Sequence, residues 1–203
     1  MYALVENNEI TKIITNPKSL VIGDVRYPAK IFSVWSMSEL NAIGIYEVIT
    51  DSTNFKDQAY YNNTNEEYNF ADNKVTRSWG TATPKRLEDE NAVDENGDPV
   101  LDDDGVQLIN YGLKTDKKRI IKQQASSLLE KTDWHNHKAF DDETYTIPND
   151  IKTYRANVRA KSNEMETQID ACTTVQELET LYTYTTDDDG VQSRPLAEFP
   201  EEI

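Results

Sequence analysis

Residues 149 to 171 contain no glycine or proline, and their apolar positions recur at helical spacing. Ile151, Tyr154, Val158, Met165, Ile169 and Cys172 follow one another at gaps of three, four, seven, four and three. The series predicts one unbroken helix with a single apolar stripe. From about Asn149 to about Ala171 such a helix is roughly 35 Å long at 1.5 Å per residue. A rod of that length needs other elements to cover its stripe. Pro148 suits the first helical turn, and Asp150 sits at the positive end of the helix dipole.

Two shorter helices are expected on either side. Lys117 to Glu130 places Ile120, Ile121, Gln124, Ala125, Leu128 and Leu129 in pairs four positions apart. Thr115 or Asp116 can cap its start. After Thr173-Thr174, the pair Thr174 and Glu177 has capping-box spacing. It opens a third helix carrying Val175, Leu178, Leu181 and Tyr182.

Between the first two helices, Leu128-Leu129-Glu130-Lys131-Thr132-Asp133-Trp134 reads as a helix end with a tight corner. An Ile-Pro turn follows, then Tyr154-Arg155-Ala156-Asn157-Val158-Arg159. In this order the two segments resemble the C-terminal signature of phage tail-fibre assembly proteins, also called tail assembly chaperones. The resemblance covers Ile120 to Lys161 and does not extend to the N-terminal part, so the chain looks like a marine-phage hybrid with a small β module in front. It implies binding to phage tail or tail-fibre proteins, in the host cytoplasm during assembly or in the virion tail. It also implies Trp134, Tyr154, Arg155, Val158 and Arg159 as partner-binding residues. A structural reading stands beside this one. Trp134 is then a core plug, Asp133 a cap or turn former, and Arg155 and Arg159, one turn apart, pair with acidic loops.

The N-terminal region alternates short apolar runs with turn residues. Tyr2 to Val5 and Ile10 to Ile14 flank Glu6-Asn7-Asn8-Glu9, a tight hairpin because asparagine tolerates positive φ. Residues 16 to 28 read as a loop, and Ile31 to Trp35 as a short apolar strand. Ser36 and Glu39 form a second capping box for a brief helix that Gly44 stops. Ile45 to Thr50, Glu67 to Ala71 and Lys74 to Trp79 complete a meander with turns at Asn62-Asn63 and Asp72-Asn73. The short helix is expected to cover one face of this sheet.

From Leu87 to Asp104 there are nine carboxylates and no lysine or arginine. That favours a solvated linker, within which Asn96-Gly97 can turn a small hairpin. Val106, Leu108 and Ile109 are a candidate edge strand. Asp-Asp-Asp-Gly-Val-Gln occurs at 102–107 and again at 187–192, one turn chemistry used twice. The fold class is therefore α+β. A small antiparallel β module with one short helix spans 1–82, and an acidic linker or hairpin spans 83–114. A helical hairpin with a short third helix spans 115–184, and an extended tail spans 185–203.

Charge and inventory narrow the function. The net charge of −16 disfavours nucleic acid and anionic membrane. Met1 to Glu6 lacks the basic flank and long apolar run of a signal peptide, so cytosolic synthesis is expected. Cys172 is the one cysteine, which leaves no internal disulfide and no cysteine metal cage. Asp94, Asn96 and Asp98 have calcium-loop spacing, but Pro99 stands where an EF-hand needs glycine and Gly105 where it needs glutamate. His135 and His137, the two histidines of the chain, are half a metal site on an extended segment. There is no Gly-x-Ser-x-Gly elbow and no phosphate-binding glycine loop. No catalytic residue, metal or cofactor is assigned. The reading is a protein that acts by binding, with a homo-oligomer compatible. The alternative is a purely structural, self-assembling virion protein with no chaperone role. A small carbohydrate-active enzyme ranks below both.

Overall fold

The computed structural model describes residues 1–203 and divides into two compact units, Met1–Pro84 and Lys85–Ile203. The chain is mixed α+β, with six helices and thirteen strands.

In the first unit, β1 (Tyr2–Glu6) and β2 (Glu9–Ile14) form the expected hairpin. Asn7 and Asn8 both have positive φ, 54° and 64°, the backbone of a type I′ turn. Residues 16–28, expected as a loop, instead contain a hairpin of β3 (Leu20–Ile22) and β4 (Val25–Tyr27). Gly23 at φ 57° turns it, and Leu20 reaches the core. The expected strand at Ile31 to Trp35 is instead a helical turn, α1 (Ile31–Val34). Ile31 and Trp35 are four apart, so a helical turn places both on the core side, whereas a strand would also bury Ser33. The Ser36–Glu39 box is formed and starts α2 (Met37–Ala42).

β5 (Ile45–Thr50) then pairs with β1, and β6 (Tyr61–Asn62) lies in the connection that follows. β7 (Glu67–Ala71) and β8 (Lys74–Ser78) form a hairpin turned by Asp72 and Asn73, at φ 52° and 59°. β9 (Thr83–Pro84) returns to pair with β6. The five long strands are ordered β2-β1-β5-β8-β7 and curl until β2 and β7 approach each other. The β5–β8 pair is parallel, where a simple meander has only antiparallel neighbours. The connection from Asp51 to Asn73 is long enough to make that crossover.

Both faces of the sheet are buried. Leu4, Ile14 and Ile45 pack with Ile31 and Leu40 under α1 and α2. Ala3, Val5, Val48 and Val75 pack on the other face with Tyr46 and Phe70. Successive residues of β1 alternate between these cores, as the pleat requires.

The second unit opens with β10 (Glu90–Asn91) and β11 (Ile109–Asn110), an antiparallel stem. Between them, residues 92–108 form a three-armed junction rather than a linker. Ala92 N donates to Leu108 O at 2.8 Å, Leu108 N to Val100 O at 2.9 Å, and Val100 N to Ala92 O at 3.0 Å. The ring closes on itself, and its corners are eight residues apart. At its centre Gln107 Nε2 lies 2.7, 3.2 and 3.2 Å from the carbonyl oxygens of Ala92, Val100 and Leu108. Its two hydrogens serve three acceptors. The arms are the stem and two hairpins, bridged at Val93–Pro99 and Leu101–Gln107.

The hairpin tips share one turn. Asp94 Oδ1 accepts from the backbone N–H of Asn96 (2.8 Å) and Asp98 (2.9 Å). Asp102 repeats this with Asp104 (3.0 Å) and Val106 (2.8 Å). Gly97 and Gly105 supply the positive φ, 87° and 79°. The turn recurs at Asp187, which accepts from Asp189 and Val191 at 3.0 and 2.8 Å between β12 (Thr185–Thr186) and β13 (Gln192–Ser193). The turn chemistry expected twice is thus used three times.

Four helices follow: α3 (Leu113–Glu130), α4 (Asp133–Asp141), α5 (Asn149–Ala171) and α6 (Val175–Tyr182). α3 begins earlier than expected and is not capped by Thr115 or Asp116. Asp89 accepts from Gly112 N at 2.7 Å, while Leu113 N and Lys114 N donate to the Arg86 and Leu87 carbonyls. Only glycine fits at 112, because a Cβ there would lie 2.4 Å from Glu88 O.

α3 and α5 pack antiparallel. Ala125 packs with Tyr154 and Val158, and Ile121, Met165 and Ile169 are buried farther along the two helices. Ile120, expected on the stripe, points outward. The Thr174–Glu177 box is formed, and α6 seats Val175 and Leu178. The C-terminal tail is held down. Leu196 is buried, Gln168 of α5 donates to Pro195 O at 3.0 Å, and Ala197 N donates back to Gln168 Oε1 at 2.8 Å.

Candidate functional site

The residues of the Thr-Asp-Trp corner and the Tyr-Arg helix meet in space. Arg155 Nη1 donates to Leu129 O and to Thr132 Oγ1, both at 2.7 Å, and Arg155 Nη2 donates to Asp133 Oδ1 at 2.6 Å. One guanidinium therefore closes the carboxyl end of α3 and holds the first residue of α4. A cation at a helix C-terminus satisfies orphan carbonyls and opposes the dipole, and the planar fork suits the three-way geometry. The far end of the helix pair mirrors this. Lys114 of α3 donates to Asp170 O near the end of α5 at 3.1 Å, and Lys118 pairs with the Asp170 carboxylate at 2.7 Å.

The five candidate contact residues separate. Tyr154, Arg155 and Val158 are buried between α3 and α5. They hold the unit together and cannot face a partner while the helices stay packed. Arg159 is exposed, with Nη1 3.3 Å from Arg155 O. It and Arg155 lie near the corner, not against the acidic loops. Trp134 is not a core plug. It is 54 % exposed, and its ring stacks on His135 at 3.7 Å.

The segment after Trp134 is helical, contrary to the expected extended segment. α4 buries His135, whose Nδ1 is hydrogen-bonded to the Tyr145 hydroxyl at 2.5 Å. Lys138 lies over the Tyr145 ring at 4.4 Å. On a helix, residues two apart point to nearly opposite sides, so His135 and His137 do not form half a metal site. The other side of α4 carries Trp134, His137 and Phe140, all exposed, with Phe140 at 89 %. Spaced i, i+3, i+6, the three residues form one exposed ridge of side chains along the helix, with the Trp134 ring turned onto His135. Reading 133–141 as a helix would have revealed it; a nine-residue helix with one buried residue has too weak a periodicity to announce itself.

No group of three or more histidine, cysteine, aspartate or glutamate side chains is placed to hold a metal ion. Asp94, first residue of the calcium-like spacing, uses Oδ1 to cap its own turn. The backbone N–H of Asp98, then that of Asn96, hold its carboxyl below the usual carboxylate range. Burial pushes the Cys172 thiol up, with Glu177 adding to the shift, so it stays protonated as a core residue. A cleft of about 590 Å³ runs between α3 and the tail, walled by Ile120, Leu128 and Phe199. Its charges are already engaged: Lys131 pairs with Glu202, Glu198 accepts from the Tyr184 hydroxyl at 2.7 Å, and the Arg194 guanidinium lies 4.9 Å from the Tyr184 ring.

No helix is long and apolar enough to cross a membrane. Comparison with known proteins returns no match among family models, curated proteins or solved structures.

Proposed function

We propose that this chain is a phage tail-associated protein that acts by protein–protein binding, as a tail-fibre assembly factor or a small tail or fibre component. One observation carries the reading: Arg155 clamps the corner from which α4 presents the Trp134–His137–Phe140 ridge. Contact between the two halves of the signature gives them a physical reason to occur together. Large exposed aromatic side chains are the residue types that dominate binding energy at protein interfaces. Held on a helix whose start is fixed, they lose little entropy on binding.

The test is co-purification with a phage tail-fibre protein at low and moderate salt, using the intact chain and a Trp134→Ser/Phe140→Ser variant. Retention of the intact chain and loss of the variant support the reading. No retention of either, with both folded by circular dichroism, contradicts it. Mass spectrometry of purified particles separates the two roles: stoichiometric presence favours the virion component, and absence favours the assembly factor.

A further inference from the structure

We propose a second docking surface, on one face of the three-armed junction, which takes an aliphatic, lysine- or arginine-bearing segment of a protein partner. The hydrogen-bonded ring through Ala92, Val100 and Leu108 relates the three arms by an approximate threefold axis. The first pair of each arm follows that relation: Val93 with Pro99, Leu101 with Gln107, Ile109 with Asn91. Cross-strand partners share a face of their hairpin, and the threefold relation brings the three pairs to the same side. The Gln107 amide marks that side, since it reaches the carbonyls of all three corners from the position paired with Leu101.

Val93, Leu101 and Ile109 therefore surround the capped centre as equivalent aliphatic groups. They are 57 %, 52 % and 46 % exposed. Three such side chains around one axis make an apolar patch that nothing within the unit covers.

Charge selects the occupant. The two hairpin arms carry six carboxylates, at 94, 95, 98, 102, 103 and 104, and no cation. The ion pairs of this region lie on the stem side, Arg86 with Glu90 and Lys114 with Glu88. A second copy of the same face would bring like charges together. A partner with cations around an aliphatic knob meets complementary charge at the rim and apolar surface at the centre.

The full chain is titrated with two labelled peptides of equal length and charge, one lysine–leucine and one lysine–glycine. Fluorescence anisotropy reads affinity, and amide NMR shifts locate the site. The expected result is at least tenfold tighter binding of the lysine–leucine peptide, with shifts centred on Val93, Leu101 and Ile109. A Val93→Ser/Leu101→Ser/Ile109→Ser variant should lose that tenfold preference while Ala92, Val100 and Leu108 keep their hydrogen-exchange protection. If this variant loses protection, Val93→Thr/Leu101→Thr replaces it, with at least threefold weaker binding expected. Equal affinity for both peptides, shifts centred elsewhere, undiminished binding by the variants, or self-association through the same amides would each overturn the proposal.

Discussion

Arg155 and Asp133 are 2.6 Å apart across the junction of two helices, the arginine nearly buried and the aspartate half-exposed. The same guanidinium reaches the carbonyl of Leu129, so α5 terminates α3 and anchors α4 with one side chain. Because Asp133 faces solvent, its ion pair is screened and contributes modestly. The hydrogen bonds to Leu129 O and Thr132 Oγ1 carry more, since their loss leaves buried acceptors unpaired. Arg155→Ala is expected to cost about 2–3 kcal/mol, with the Trp134 fluorescence environment altered. Arg155→Lys should recover only part, because a lysine cannot serve three acceptors in that planar arrangement. Urea unfolding of the three proteins measures this.

Gln107 is the keystone of the acidic junction. Gln107→Glu keeps the shape but turns a carboxylate toward three carbonyl oxygens. Amide protection at Ala92, Val100 and Leu108 is expected to fall by an order of magnitude or more, about 1.4 kcal/mol or above in local opening, while α5 amides stay protected. Unchanged protection at the ring would show that its backbone bonds alone hold it.

Gly112 admits no side chain. Gly112→Ala places a methyl against Glu88 O and Leu87 O and is expected to cost about 1–3 kcal/mol, as overpacking does. Asp89→Ala should also destabilise the start of α3, by about 1 kcal/mol, through loss of the cap on Gly112 N. Thermal melts of both variants check the pair.

Acid should loosen particular turns. The Ser36 backbone N–H and hydroxyl hold Glu39 below the usual carboxylate range, the Thr173 backbone and side chain do so for Glu177, and the Asp98 and Asn96 backbones for Asp94. Each group has a native pKa below its unfolded value. Its contribution is complete above the ordinary carboxylate range of about pH 4 and is lost as pH falls through the lowered native value. Amide NMR from pH 6 to pH 2.5 should show Asn96, Asp98 and the first turns of α2 and α6 changing before the α3–α5 core. Simultaneous loss everywhere would contradict the local assignment.

Local chemistry was legible in the sequence; long-range pairing was not. The Asn7-Asn8 and Asp72-Asn73 turns and both capping boxes depend on residues within four positions of one another, and each is present. The α5 stripe was legible because a long helix repeats its signal. The parallel β5–β8 pair was hidden, since no local pattern states which strand a strand will meet. Asp89 caps α3 from 23 residues away. The junction hides within an acidic run that resembles a linker, its eight-residue spacing showing only once the ring closes. Tyr154, Arg155 and Val158 stand out in the sequence as contact residues for a partner, whereas the structure buries them between α3 and α5. The aromatic ridge beside them was half seen: Trp134 was named, while His137 was read only as a metal half-site and Phe140 not at all.

Docking through the α4 ridge is tested most directly by quantitative binding of a tail-fibre protein to the intact chain and to Trp134→Ser/Phe140→Ser. The expected result is a loss of at least a hundredfold in affinity, about 2.7 kcal/mol, as for a pair of interface hot spots, with circular dichroism unchanged. Equal affinity of the two folded proteins, or no binding by the intact chain at either salt concentration, would contradict the account.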